Sequence, residues 1–219
     1  MIDKKLVMPG CGKMVLASAS PRRQEIVAAL GLPVVIRLAD IEEIQMPGEA
    51  PNRMAERLAI AKAKGAGPRP GELVIGSDTI VVLDDQALGK PKDANEARQM
   101  LTALRGRRHD VISGLALANG TTGMVYSGCE RTGVVMREYS DDEMEEYIAS
   151  GEPFDKAGAY AIQDPVFHPV EEIEGCYVNV VGLPVCRLIQ GMRAMGCDTT
   201  CLAIENLPAE CRECGSIPV

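Results

Sequence analysis

Tryptophan is absent from the 219 residues, and all aromatics together make up 3%. A surface that stacks unpaired bases needs exposed rings, so a single-strand nucleic-acid binder is not expected. Positive charge is also scarce: 23 Lys and Arg against 31 Asp and Glu leave a net charge of −8. That is the wrong sign for wrapping a nucleic-acid backbone, although a local basic pocket for a phosphorylated small molecule stays open. With only two histidines, His109 and His168, neither a histidine-rich metal centre nor a Ser-His-Asp triad is expected. No apolar run reaches membrane length. The apolar residues near the N-terminus are broken by Pro9, Gly10, Gly12 and Lys13, so neither a secretory leader nor a spanning helix is expected. Eight cysteines are present, four of them (Cys197, Cys201, Cys211 and Cys214) at the C-terminal end. Without a leader, the expectation is a cytoplasmic protein with reduced thiols.

What remains is an ordinary globular composition, 46% hydrophobic and 25% charged. Element types alternate. Met14–Ala17 reads as a short buried strand, and Ser20-Pro21 opens a helix that Gly31 closes. Val34–Ile36 is strand-like, and a second helix is expected from about Asn52 to Lys64, with Met54, Leu58 and Ala61 on one face. Leu73–Ile75 and Ile80–Leu83 read as two buried strands, followed by an Asp84-Asp85 turn. Asp93 and Glu96 start a helix that ends at Gly106. Two β-rich stretches, Asp110–Ala118 and Met124–Glu138, flank Asn119-Gly120, a hairpin signal. Ser140 with Glu143 forms a capping box, and a last helix follows Pro184 and stops at Gly196. The fold class is α/β, one unit with a mixed sheet.

Neither common nucleotide-binding fingerprint is present. Gly10-Cys11-Gly12-Lys13 has Met14 where a phosphate loop needs a hydroxyl, and no GxGxxG occurs. A different anion site is visible in Ser18-Ala19-Ser20-Pro21-Arg22-Arg23. Two guanidinium groups in a first helical turn oppose the helix dipole, at a cost of about 0.3–1 kcal/mol per charge. Either a polyphosphate compensates them, together with the free N–H groups of the helix start, or surface carboxylates such as Glu25 do. In Gly76-Ser77-Asp78-Thr79, between two apolar runs, Asp78 is either an Asx-turn residue or a carboxylate that orders a divalent ion or accepts a proton from water. Lys90, between Gly89 and Pro91, is either an ammonium fixed against phosphate or an exposed loop residue. Lys62 either snorkels from the Ala-rich helix or points into a pocket. Glu42-Glu43 either holds Mg²⁺ or forms a solvated edge.

Taken together, these segments resemble one family. Leu16-Ala17-Ser18-x-Ser20-Pro21-Arg22-Arg23, Ile41-Glu42-Glu43, Arg57-Leu58-Ala59-x-x-Lys62-Ala63, Gly76-x-Asp78-Thr79, Gly89-Lys90-Pro91, Asp155-Lys156-Ala157-Gly158-Ala159-Tyr160-x-x-Gln163 and Val181-Gly182-Leu183-Pro184 are similar to the blocks of the Maf (septum-formation-inhibitor-like) nucleoside triphosphate pyrophosphatases. The resemblance runs from Met14 to Gly196. It implies cleavage of a nucleoside triphosphate between the α- and β-phosphates, with a divalent metal (Mg or Mn), in a two-lobed α/β fold like that of inosine-triphosphate pyrophosphatases, with a twisted sheet and a cleft between the lobes. It also implies Asp78 as proton acceptor, Ser18, Arg22, Arg23, Lys62 and Lys90 on the polyphosphate, and Glu43 on the metal. Arg22, Thr79 and Gln163 resemble the specificity positions of the dTTP/UTP-preferring branch rather than the 7-methyl-GTP branch. A Gln amide offers a donor and an acceptor to the edge of thymine or uracil. Where relatives commonly carry Gly-Ile-Gln-Gly, this chain has Ala161-Ile162-Gln163-Asp164, which bears on the base-binding loop. The implied partner is a small nucleotide, with no nucleic-acid polymer and no membrane; a homodimer stays open. Residues 14–196 would form the enzyme domain and 197–219 a cysteine-containing tail whose four thiols suit a zinc site or hang free.

Overall fold

The computed structural model describes residues 7, 8 and 10–213. Its chain order is β1 (Val7–Met8), β2 (Gly12–Leu16), α1 (Pro21–Ala29), β3 (Val34–Ile36), α2 (Pro51–Gly65), β4 (Glu72–Leu83), β5 (Gln86–Leu88), α3 (Ala94–Leu104), β6 (Arg108–Asn119), β7 (Val125–Met136), α4 (Asp141–Ala149), β8 (Val170–Glu174), α5 (Tyr177–Val181), α6 (Val185–Ala194) and α7 (Ala209–Glu213). Short 3₁₀ turns at Glu152–Asp155 and Ala157–Ala159 lie between α4 and β8.

Among the described residues, eight strands form one mixed sheet with the path β1-β2-β4-β6-β7-β8, β3 pairing with β2 and β5 with β4. β2 runs parallel to β3 and β4, as expected of strands joined through helices. The long strands β4, β6 and β7 form an antiparallel meander. One apolar body joins β2 to α1, α5 and α6 through Met14, Leu16, Leu30, Leu183 and Leu188. A second surrounds α3 and α4, built on Leu101, Leu104, Val134, Met136 and Tyr147. These two bodies are the lobes.

The expectation of two strands separated at Gly76–Thr79 is corrected. β4 is a single strand of 12 residues, and Asp78 sits in its interior opposite Gly114. The glycine that reads as a turn signal serves close packing instead. A Cβ at Gly76 would stand 2.3 Å from the Ala59 carbonyl oxygen, and one at Gly114 would stand 2.1 Å from that of Ala55. Both glycines let α2 lie directly on the sheet.

The Asp84-Asp85 turn is present, with positive φ at both residues (49° and 61°), the geometry of a tight hairpin. The Ser140–Glu143 capping box is formed in full. β1, β8, α5 and α7 lie in short or charged stretches whose periodicity does not announce them.

The expectation of reduced thiols is corrected for two residues: Cys11 and Cys197 form a disulfide. The turn before β2 meets the end of α6, where a Cβ on Gly10 would fall 2.4 Å from the Gly196 carbonyl oxygen. Cys197 is therefore not available to a four-thiol zinc site, and Cys201 is exposed while Cys211 is buried. Cys214 lies outside the described residues. Among the described residues no cluster of three or more His, Cys, Asp or Glu is arranged to hold a metal, and no helix is long and apolar enough to cross a membrane.

Candidate active site

The site lies in a gap along one edge of β4. On that edge, β2 pairs with β4 as far as Ile75, and β5 begins pairing only at Val81. Between them, Gly76–Ile80 have no strand neighbour on that side among the described residues. Because side chains alternate across a strand, Ser77 and Thr79 face the α5 side while Gly76 and Asp78 face α2. The gap opens into a cleft of about 460 Å³ lined by Ser18, Arg22, Arg23, Glu43, Lys62, Asp78, Thr79, Lys90, Asp155 and Lys156, among others. Five cationic side chains meet three carboxylates there, in a chain whose net charge is −8. The cleft is thus a basic island on an acidic protein.

On the α5 side, Arg23 is buried, with 9% exposure. Its guanidinium donates to the Gly182 carbonyl (2.7 Å), the Ser18 hydroxyl (3.2 Å) and the Thr79 hydroxyl (3.1 Å). Burial lowers its pKa, opposed by the charges of Asp78 and Glu43. The Gly182 carbonyl also accepts from the hydroxyls of Ser77 (3.2 Å) and Thr79 (3.3 Å). Gly182 has φ 127°, a conformation that favours glycine, so the carbonyl is turned back onto the sheet. Nothing in the residue pattern identifies this acceptor; the only sequence signal for it is the Val181-Gly182-Leu183-Pro184 block.

On the α2 side, the Lys62 ammonium lies 2.5 Å from an Asp78 carboxylate oxygen and 2.7 Å from a Glu43 oxygen. Lys62 therefore does not snorkel to solvent; it bridges two carboxylates. Asp78 is 7% exposed. Burial raises its pKa, against the opposing pull of the Lys62 charge, the Lys62 hydrogen bond and Arg23. For Glu43, burial acts upward, but the Lys62 hydrogen bond with the charges of Lys62, Lys90 and Arg23 outweighs it, and the net shift is downward. Lys90 is exposed on the cleft rim.

Arg22 lies on the rim as well, 3.9 Å from Asp155. Its carboxylate partner is Asp155 rather than Glu25. Lys156, which composition and spacing do not mark, is buried in the cleft wall and tied to Asp155 (2.6 Å) and Glu152 (2.9 Å). Gln163 does not line the main cleft. It faces an adjoining groove of about 660 Å³ that shares Arg22, Asp155, Lys156 and Ala161 with the cleft and carries Tyr147 and Phe167 on its wall. His168 is exposed, on a loop, with φ 42°.

Comparison with known proteins identifies the family. The family model described as "Maf-like protein" matches residues 13–195.

The chain belongs to the Maf family.

It is 45% identical over 184 residues to a protein of Citrifermentans bemidjiense named dTTP/UTP pyrophosphatase, covering 84% of this chain and 95% of that one. It is also 45% identical over 207 residues to the protein of the same name from Thermomicrobium roseum, covering 94% of each. A third, from Geobacter sulfurreducens, is 44% identical over 186 residues, covering 84% of this chain and 97% of its own. Among solved structures, the Staphylococcus aureus Ham1 protein aligns over 56% of this chain and 71% of its own, with a TM-score of 0.40 and 15% identity.

Proposed function

We propose that this Maf protein hydrolyses dTTP and UTP to the monophosphate and pyrophosphate, with Asp78 as the base. The observation that carries the reading is the convergence of Arg23, Lys62 and Lys90 on the cleft that holds Asp78. These residues lie far apart in the sequence, and a triphosphate explains why their charges meet. In the reaction, a water oxygen bonds to the α-phosphorus as the bridging P–O bond to the β-phosphate breaks. Asp78 takes the proton released by the water, and pyrophosphate leaves with the bond's electron pair. Phosphoryl chemistry of this kind depends mainly on positioning and on neutralising charge as it develops. Arg23, fixed by three hydrogen bonds, cannot reorient. Lys62 and the rim cations Arg22 and Lys90 complete the neutralisation.

The residues also fit a divalent metal. Glu43 and Asp78 place two hard oxygen donors on one point, now spanned by the Lys62 ammonium. Mg²⁺ commonly takes one or two carboxylates together with substrate phosphates rather than an all-protein cage, and no such cage is present among the described residues. Glu43 and Asp78 would hold the ion, which would supply Lewis-acid polarisation of the phosphate oxygens. The adjoining groove takes the base, with Gln163 as the amide facing a pyrimidine edge and Tyr147 and Phe167 as apolar wall.

The test is a panel of triphosphates (dTTP, UTP, the purine nucleotides and 7-methyl-GTP) incubated with protein and Mg²⁺. dTTP and UTP should be turned over fastest, giving monophosphate and pyrophosphate. Release of dTDP and orthophosphate would overturn the bond assignment. Tight binding without pyrophosphate release would make the protein a nucleotide sensor.

A further inference from the structure

Glu43 belongs to an irregular segment, residues 37–50, between β3 and α2. Apolar packing holds only the first part of this segment, where Ala39 and Ile41 lie against α2 at Gly65, since Leu38, Ile44 and Met46 are 58%, 64% and 54% exposed. Around Glu43 and beyond, its position depends on two arginine forks. At its start, Arg37 pairs with both Glu72 oxygens (2.8 Å each) and donates to the carbonyls of Ala66 and Gly67. Near its end, Arg57 of α2 pairs with both Glu49 oxygens (2.6 and 2.7 Å) and donates to the Ile44 carbonyl at 2.8 Å. The Ile44 carbonyl is one residue from Glu43. Glu49 in turn accepts from the Met46 N–H, and the Gln45 amide donates to the Glu49 carbonyl, so the whole stretch 44–49 is folded onto one guanidinium. Arg57 and Lys62 sit five residues apart on the same helix, so one element carries both the fork and the ammonium that Glu43 meets.

We propose that Arg57 is a positioning residue that acts through Glu43: by holding the Ile44 carbonyl and Glu49 together, it presents the Glu43 carboxylate to Lys62 and Asp78. This rests on the reading of Glu43 given above and adds the residue that makes it possible. A bidentate fork has the geometry for the task, since it fixes orientation as well as distance, which a lysine cannot. The fork also holds across the working pH range, because the Arg57 hydrogen bond lowers the Glu49 pKa to about 2. The Arg57-Leu58-Ala59-x-x-Lys62 spacing thus encodes one helix with two tasks: Arg57 sets the segment and Lys62 receives its carboxylate.

The test uses Arg57→Lys and Glu49→Gln, which break the fork from either side, with Glu43→Gln as reference. Each is also combined with Glu43→Gln. The readout is the affinity for Mn²⁺ in the presence of the α,β-imido analogue of dTTP, followed by electron paramagnetic resonance, beside kcat and KM for dTTP. Arg57→Lys and Glu49→Gln should each weaken Mn²⁺ binding by roughly ten-fold, the usual scale for removing a partner that orients a metal ligand. Melting temperature should stay near that of the parent, and hydrogen exchange should quicken at residues 41–48 but not in the middle of α2. Combined with Glu43→Gln, neither change should weaken binding further, because a residue acting through Glu43 has nothing left to orient. Losses that multiply in the double variants, or parental affinity in both fork variants, would overturn the proposal. Parental affinity in Glu43→Gln alone would overturn the reading of Glu43 itself, and the role of Arg57 with it.

Discussion

Asp78 has little freedom to move. Its backbone belongs to a ladder of ten residue pairs with β6, and its carboxylate is pinned by Lys62. Asp78→Asn keeps the shape and removes the proposed proton acceptor, so turnover of dTTP should fall roughly a thousand-fold while the far-ultraviolet spectrum is unchanged. Full activity would remove Asp78 from the role of base. Because burial raises its pKa above 3.8, the charged, active form is lost at a higher pH than for a free aspartate, and the acid limb of kcat/KM should reflect this. Replacing Lys62 with Met removes the main influence holding that pKa down, so the limb should move further up; a limb that stays put belongs to another group. His109 gives a separate signal. It is 2% exposed, its Nε2 is 2.7 Å from the Tyr160 hydroxyl, and burial lowers its pKa from 6.5 to about 4. A base whose folded pKa is depressed is fully compatible with folding above its unfolded pKa. As pH falls from about 6.5 to about 4, the unfolded chain gains a proton that the folded one refuses, costing on the order of 3 kcal/mol. Urea unfolding midpoints should drop across that window and much less so in His109→Gln, before the ion-paired carboxylates titrate.

Between strand and helix, the governing contact is that of α2 with the sheet. Gly114→Ala places a methyl on the Ala55 carbonyl and must push α2 outward. The expected loss is about 1–3 kcal/mol of stability, the range for overpacked cores. Activity should fall by more than stability explains, because Lys62 moves with the helix. Asn119→Ala removes the side-chain oxygen that accepts from the Thr121 and Thr122 N–H groups, in a turn that lines neither cleft nor groove, and should cost about 1 kcal/mol while leaving kcat/KM alone. The pair separates displacement of the site from loss of stability, read by chemical denaturation and steady-state kinetics. The longer helices, the turns and the caps are legible in the sequence because each depends on residues within a few positions of one another: Ser20-Pro21, Asp84-Asp85 and Ser140 with Glu143 all show it. The continuity of β4 through Gly76–Thr79 was not legible. Its cause is a helix backbone brought against it from another part of the chain, which no local pattern records. The same holds within the site. Most of the charged residues stand out by type, whereas the Gly182 carbonyl has no side chain to notice, and the motif holding Asp155 and Lys156 does not tell that they pair with one another in the cleft wall.

At the scale of the molecule, the disulfide between Cys11 and Cys197 joins positions 186 residues apart. In the chain-entropy account a crosslink of this span stabilises by about 5 kcal/mol, through the unfolded chain. It lies at the opening of β2, while Ser18 lies beyond that strand's far end, roughly 20 Å away at the usual rise per residue. Dithiothreitol, or Cys197→Ser, should therefore lower the melting temperature yet leave kcat and KM for dTTP unchanged; an equal loss of activity would mean the two regions are coupled. The second end of the chain adds to this closure, since Leu202, Leu207 and Cys211 pack into the same apolar body as β2 and α1. The span of the site has a further consequence for biosynthesis. Arg23 is translated 159 residues before Gly182, whose carbonyl holds its guanidinium. Until then the arginine has lost water without gaining its partner, or has not yet been buried at all. The nascent polypeptide can build its sheet progressively, but Arg23 cannot be held as it is in the folded protein until Gly182 has been made.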